Sequence, residues 1–291
     1  MLVAAGEIAL GPESCLAVKN GVVYFTTDDA GPSTFRDPKV FAVPKSGSDR
    51  FPVGFGGRTR AIVPKDAIPS IADAGTDGVI WTENHLLQSH HPWPGSEQYG
   101  GALGSKDQIA IAMTPDVAYW AEVDGTVMRA QRPYGGSLQK VLDGRGEGHA
   151  SSLVVVGGDV FVSDPRLGEI MRGPADGSAP AGMTAFSGSP GARGLATGDG
   201  VVYWAAPDAG RIVGSSGVVA EGQASPWMVA RDRSATYWVN RTENGAVMKR
   251  ADRGEIVTVA SGQNMPTCVA VDETSVYWID VGTGSVLRAA K

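Results

Sequence analysis

An apolar-aromatic triplet recurs seven times along this chain, and no other feature restricts its fold as tightly. The copies are Val23-Tyr24-Phe25, Val79-Ile80-Trp81, Ala118-Tyr119-Trp120, Val160-Phe161-Val162, Val202-Tyr203-Trp204, Thr236-Tyr237-Trp238 and Val276-Tyr277-Trp278. Their central residues at 24, 80, 119, 161, 203, 237 and 277 give successive spacings of 56, 39, 42, 42, 34 and 40 residues. A period of roughly 40 to 50 residues is that of a four-stranded unit repeated around an axis.

The residues around each triplet read as further strands. A small-apolar strand precedes it (Leu16-Ala17-Val18, Ile109-Ala110-Ile111, Leu153-Val154-Val155, Val229-Ala230, Val269-Ala270-Val271), across turns such as Asn20-Gly21, Asp77-Gly78 and Asp199-Gly200. Those dipeptides tolerate positive φ and suit tight hairpins. A third strand follows (Leu86-Leu87-Gln88, Val127-Met128-Arg129, Ile170-Met171-Arg172, Val247-Met248-Lys249, Val286-Leu287-Arg288), and a fourth is visible at Leu138–Leu142 and Glu255–Val259. We denote these strands A to D.

The last repeat ends just after its C strand, whereas Met1-Leu2-Val3-Ala4-Ala5-Gly6 resembles the D strand Val257-Thr258-Val259-Ala260-Ser261-Gly262. The pattern predicts an all-β, seven-bladed β-propeller of four-stranded antiparallel blades, with the N-terminal strand closing the last blade. Such closure limits exposed sheet edges. One domain over residues 1–291 follows, with blades at approximately 12–67, 68–107, 108–149, 150–191, 192–224, 225–264 and 265–291 plus 1–10.

Composition removes several classes of function. Hydrophobic residues make up 42% of the chain, too many for a disordered segment. The net charge of −6 is spread without a basic block, so a nucleic-acid partner is not expected. No apolar run reaches the roughly 18 to 20 residues of a membrane span, and the first residues lack the charged region and cleavage site of a signal peptide. The compartment stays open, since secretion or a bacterial periplasmic location fits a chain from which a leader has been removed.

The succession of small-apolar strand, Tyr-Trp core, Gly turn and Val-x-Arg strand resembles the YWTD-type repeats of low-density-lipoprotein-receptor propellers and related bacterial NHL-like propellers. Val276-Tyr277-Trp278-Ile279-Asp280 matches that motif best, with looser copies at Ala118–Glu122 and Thr236–Asn240. The resemblance implies architecture. Receptor domains of that type have six blades against the seven counted here, so their ligand residues do not transfer, and propellers host many unrelated activities.

In a propeller the B–C and D–A loops share one face, here called the top. Two insertions account for the long first interval, one over Asp28–Asp37 and one around Arg58–Asp66, and both belong to that face. Loops on a rigid scaffold are where sites form. A ligand site beside blades one and two is therefore expected, with Asp28, Asp29, Arg36 and Arg60 as candidates; drift in loop length is the alternative.

Three residues after each core position stand Thr27, Glu83, Glu122, Asp164, Ala206, Asn240 and Asp280. One reading is a mouth that binds a divalent cation such as Ca²⁺ or Mg²⁺, or an amine. The other is turn capping and blade-to-blade hydrogen bonding. No other cofactor and no dedicated metal site is expected. His85 and His149 map to the top and, with Glu83, are the candidates for acid-base chemistry. His90 and His91 align to the opposite end. Cys15 and Cys268 are equivalent residues on A strands of neighbouring blades, and a face-to-face sheet spacing of about 10 Å predicts two reduced, buried thiols.

Gly144-Arg145-Gly146-Glu147-Gly148-His149 is glycine-rich but joins two strands, so it is no phosphate loop. Nucleophile elbows, His-Glu-x-x-His and Cys-x-x-Cys motifs and Walker loops are absent from the sequence. Two functions remain. One is a binding or scaffold propeller engaging a small molecule, glycan or protein on its top face. The other is a lyase or hydrolase of the streptogramin-lyase or gluconolactonase type, with His85, His149 and one of Glu83, Glu122 or Asp164 around a divalent ion.

Overall fold

The second strands whose side chains are described have apolar centres because they are enclosed on both faces. Ala235–Asn240 and Ser275–Asp280 are buried at all six positions, and Val117–Glu122, Asp159–Asp164 and Val201–Ala206 at all but the first. By contrast the fourth strand Ile256–Gln263 is exposed or half-buried along its length. Burial therefore falls outward across a sheet, and a run such as Thr-Tyr-Trp-Val cannot show two-residue alternation when neither of its faces meets water.

The computed structural model describes residues 2, 10, 14–19, 21–26, 40–46, 51–52, 71–73, 79–83, 86–90, 101–102, 108–122, 124–131, 138–144, 150–178 and 184–291. Among them the strands form six four-stranded sheets and one three-stranded sheet, each in sequence order and antiparallel throughout. Sheet one comprises Leu16–Lys19, Val22–Thr26, Val40–Pro44 and Phe51–Pro52, and sheet two Ile71–Asp73, Val79–Glu83, Leu86–His90 and Gly101–Ala102. Sheet three comprises Gln108–Met113, Val117–Glu122, Val127–Gln131 and Gln139–Leu142, and sheet four Ser152–Val156, Asp159–Asp164, Glu169–Pro174 and Thr184–Gly188. Sheet five comprises Arg193–Gly198, Val201–Ala206, Arg211–Gly214 and Gly217–Ala220, and sheet six Pro226–Arg231, Ala235–Asn240, Gly245–Ala251 and Ile256–Gln263. Sheet seven comprises Pro266–Val271, Ser275–Asp280 and Ser285–Ala290. The sole helical element among these residues is the 3-10 turn Pro207–Ala209.

Every triplet lies in a second strand. The predicted hairpin turns use positive φ where they are described: +76° at Gly21, +53° at Asp199 and +76° at Gly200. Two successive left-handed residues match the right-handed twist of the strands they join.

First strands of consecutive sheets lie against one another, and that of sheet seven lies against that of sheet one. Apolar side chains fill the spaces between sheets. Tyr237, Val239 and Val247 of sheet six pack with Val269, Val276 and Trp278 of sheet seven. Leu16, Val23, Phe25 and Val43 of sheet one pack with Cys268, Tyr277, Ile279 and Val286 of sheet seven. Leu2 joins this last cluster and donates its backbone N–H to the Val286 carbonyl at 2.9 Å.

The cysteines correct the sequence-based expectation. Cys15 and Cys268 form a disulfide with a Cα–Cα distance of 5.2 Å, joining residues 253 apart. The spacing of about 10 Å holds for sheets stacked face to face. First strands, however, are the innermost elements and converge, so residues at their ends come within the reach of about 7 Å that a disulfide needs. The backbone N–H of Leu16 donates to Cys268 Sγ at 3.2 Å.

Candidate functional site

The starts of first strands, the ends of second strands and the connections between sheets meet at one end of the molecule. Backbone hydrogen bonds tie them together: Arg241 N–H to the Ser225 carbonyl, Met265 N–H to the Thr242 carbonyl and Gly282 N–H to the Asn264 carbonyl. This is the end on which the expected site residues of the second strands fall.

Four of those residues are described with their side chains. Glu122, Asp164, Asn240 and Asp280 are the last residues of their strands, and all are buried. Asp164 Oδ1 accepts the backbone N–H groups of Arg166 and Leu167, closing the turn that follows. Asp280 Oδ1 accepts from Thr283 N–H, and its Oδ2 accepts from Asn264 N–H in the preceding connection. Asn240 Nδ2 donates to Gln223 Oε1, which also accepts from Trp238 Nε1. In sheet seven Gln263 Oε1 accepts from Trp278 Nε1 in the same way. At Asp164 and Asp280 the acidic side chain thus caps its own turn.

Glu83 closes the second strand of sheet two, whose backbone alone is described. His90 ends Leu86–His90 opposite Val79, hence at the other end of the sheet. Asp28, Asp29, Arg36, Arg60, His85, His91 and His149 lie outside the described residues, as do both insertions. Among the described residues no group of three or more His, Cys, Asp or Glu side chains is arranged to hold a metal ion.

A constellation absent from the sequence-based candidates stands at the same end between sheets five and six. Arg193 begins the first strand of sheet five, Trp227 is second in the first strand of sheet six, and Arg241 directly follows the second strand of sheet six. The guanidinium carbons of Arg193 and Arg241 lie 3.7 Å and 4.2 Å from the Trp227 ring centroid. All three side chains are half-buried, unlike the enclosed Trp238.

Local backbone features aim these side chains. The pairing of sheet six shifts register between Pro226 and Met228, which makes Trp227 a bulge residue, and bulges redirect side chains. Gly194 follows Arg193 at φ +62°; a Cβ there would stand 2.8 Å from the Trp227 carbonyl oxygen and 2.7 Å from Met228 Cα. Only glycine permits so close an approach of the two strands. Arg193 Nε donates to the Gly191 carbonyl at 3.2 Å.

The sequence does carry a signal for this cluster, in its departures from the repeat. Arg193 and Trp227 occupy the place eleven residues before the third triplet residue, where other copies have Ser14, Ser70, Ile109, Ser151 and Thr267. The place of Arg241 is held elsewhere by Asp28, Asn84, Val123, Pro165, Pro207 and Val281.

At the opposite end the charged groups serve the joints between sheets. Asp272 Oδ1 accepts from Thr274 and Ser275 N–H, and its Oδ2 accepts from Tyr277 Oη at 2.8 Å and pairs with Lys45 Nζ of sheet one at 2.5 Å. Burial alone would raise this carboxyl, but the hydrogen bonds from Lys45, Thr274, Tyr277 and Ser275 outweigh it and hold its pKa down at about 2. Asp232 repeats the arrangement with Tyr237 and with Lys291 of sheet seven, and is likewise held well below the usual carboxylate range.

No family model matches the chain, and no curated protein sequence matches it. Solved structures do. A virginiamycin B lyase from Staphylococcus aureus superposes with a TM-score of 0.74 at 11% identity, covering 99% of this chain and 98% of that one. A catalytically inactive histidine-to-alanine form of that lyase with quinupristin gives 0.72 at 12% identity over 97% and 96%. A chain of the nidogen/laminin complex gives 0.56 at 17% identity over 72% of this chain and 88% of its own. These neighbours are propellers, and at such identities the likeness shows the β-propeller fold.

Proposed function

We propose that the chain is a closed seven-bladed propeller acting as a non-catalytic binding module, which takes a small molecule, glycan or protein at the end where first strands begin. The blades would follow the boundaries given by the repeat, with residues 1–10 completing the seventh. The seven described sheets, the circuit of their first strands and the Leu2–Val286 hydrogen bond support this closure.

The observation that carries the binding role is the half-buried cluster of Arg193, Trp227 and Arg241, three departures from the repeat gathered at one blade junction. Packing of a blade calls for none of them there. The insertions bearing Asp28, Asp29, Arg36 and Arg60 would extend the same rim at blades one and two. A glycan array and a metabolite thermal-shift panel, with hits mapped by hydroxyl-radical footprinting, test the reading. Protection of Trp227 and Met265 is expected. Protection confined to the turns at Asp199, Asp232 and Asp272 would move the site to the other end and overturn it.

A second reading is a metal-assisted lyase or hydrolase with Glu83, His85, Glu122, His149 and Asp164 around Ca²⁺ or Mg²⁺. It is favoured by the superposition with virginiamycin B lyase over nearly the whole of both chains. Consumption of quinupristin followed by chromatography, with Mg²⁺ and with a chelator, decides it. Metal-dependent turnover lost in His149→Ala would establish the enzyme, and no turnover in either condition would dismiss this substrate.

The disulfide supports an oxidising compartment, secreted or periplasmic, since such bonds persist where thiols are not kept reduced. Finding two titratable thiols in denatured protein isolated from its native compartment would contradict that location.

A further inference from the structure

We propose that the Cys15–Cys268 disulfide is a redox-operated latch: a thiol attacks it at Cys15, releases Cys268, and frees one end of the joint between sheets seven and one. The inference does not depend on which ligand the molecule binds.

That joint differs from the other six in how it is held covalently. Sheets one to seven follow one another along the chain, so each neighbouring pair has a connecting segment, whereas sheets seven and one are the last and the first. The disulfide supplies the covalent link there, between residues 253 apart and at the end where first strands begin. At the opposite end the same two sheets are held by noncovalent contacts. Lys45 Nζ pairs with Asp272 at 2.5 Å and donates to Thr274 Oγ1 at 3.2 Å, and Arg288 donates to the Lys45 carbonyl. Breaking the sulfur bond therefore releases one end and leaves the other fastened, the arrangement of a hinge. Opening of this kind is local and costs less than unfolding the chain.

The two sulfurs are not equivalent. Cys268 is 2% exposed and clusters with Leu16, Phe25, Tyr277 and Ile279, out of reach of a thiol in solution. Cys15 is half-buried. Exchange depends on which sulfur a thiolate can reach, so Cys15 is the one attacked. The Leu16 N–H already donates to Cys268 Sγ at 3.2 Å. When the bond breaks, negative charge develops on that buried sulfur, where it is costly, and a hydrogen bond to the charged atom offsets the cost. Attack at Cys15 thus places the charge on the sulfur that has a donor in position.

The reductant class that balances the reaction is a dithiol. One thiolate of the reagent bonds to Cys15 Sγ as the Cys15–Cys268 bond breaks, and the electron pair of that bond leaves on Cys268 Sγ, which takes up a proton. The second thiol of the reagent, once deprotonated, bonds to the first sulfur and closes a cyclic disulfide. Cys15 leaves as a thiolate and is protonated in turn. Two electrons and two protons have then passed from the dithiol to the two cysteines.

Two measurements on the full chain test the latch. In the first, native protein is treated briefly with excess glutathione, quenched with acid, alkylated in denaturant and mapped by mass spectrometry. Glutathione is expected on Cys15 and the alkyl group on Cys268, in at least tenfold excess over the reverse; equal amounts, or an excess of glutathione on Cys268, overturn the assignment of the attacked sulfur. In the second, amide hydrogen exchange is followed with and without dithiothreitol. Reduction should speed exchange at least tenfold in Leu16–Lys19 and Pro266–Val271 while Ser152–Val156 and Arg193–Gly198 change less than twofold. Equal acceleration in all four strands would mean that the whole chain loosens, and no acceleration would mean that the bond fastens nothing; either result overturns the latch. Cys15→Ser combined with Cys268→Ser should show the exchange pattern of the reduced chain with or without dithiothreitol. Should that variant fail to fold, the intact chain under dithiothreitol carries the same decision. A native bond that resists both reagents until the chain is unfolded also overturns the proposal.

Discussion

Sheets six and seven and sheet three are built around the same buried tryptophan, yet they treat its one polar atom differently. Trp238 donates Nε1–H to Gln223, in the connection before sheet six, and Trp278 donates to Gln263, the last residue of the fourth strand of sheet six, each acceptor fifteen residues earlier. Trp120 is 0% exposed at the equivalent place, and its Nε1 has no hydrogen-bond partner among the described residues. At the other end Asp232 and Asp272 clamp a tyrosine hydroxyl and a lysine of the next sheet, whereas the corresponding Thr114 closes only its own turn through Val117. The apolar core of a blade is thus repeated faithfully, while the polar joints are added blade by blade.

If packing dominates, Trp238→Ala and Trp120→Ala should both cost about 3 to 5 kcal/mol, the range for deleting a large buried ring. Urea unfolding measures both, and a near-neutral Trp120→Ala would show that the shared core is not equivalent after all. The joint between sheets seven and one has a covalent clamp that the six–seven joint lacks. Reducing Cys15–Cys268, which closes a very long loop, should cost about 2 to 5 kcal/mol. Thermal unfolding with and without reductant reports it, and an unchanged midpoint would mean that noncovalent contacts suffice at that joint.

Acid should separate the joints further. The Asp272 carboxyl is held at about 2 in the folded chain against 3.8 when unperturbed, so its contribution is complete above about pH 4 and is lost as pH falls toward 2. The loss is on the order of 2 kcal/mol. Asp272→Asn should remove that part of the acid sensitivity, seen as a shallower fall in urea midpoint between pH 4 and pH 2, while Thr114→Val should leave the slope as it is. The smallest difference concerns the indole donor: Trp238→Phe should cost about 1 kcal/mol more than Trp120→Phe, because the first substitution also leaves Gln223 without the indole donor it accepts from. Equal costs would dissolve the contrast between the sheets.

Much of the architecture was legible because it depends on local pattern. Seven triplets became seven second strands, and the turns at Gly21 and Asp199-Gly200 adopt the positive φ their residues favour. The turn-capping reading of Asp164 and Asp280 was also within reach, since a carboxylate at a strand end bonds nearby backbone N–H groups through local geometry. The cysteines misled, because the distance between two strand ends depends on how sheets converge, which spacing along the chain does not record. Arg193, Trp227 and Arg241 are not marked by the repeat for a related reason: they stand where two repeats depart from the shared pattern, and only packing of neighbouring sheets brings them together.

Period, strand order and the buried aromatic core follow from the sequence alone, because strand formation and hairpin closure act over a few residues and apolar burial needs only a face to bury. Which ends meet, whether Cys15 reaches Cys268, and how an arginine of one sheet comes to rest on a tryptophan of the next belong to the assembled molecule. Those contacts join residues 34 to 284 positions apart, and they exist only where the sheets are packed side by side.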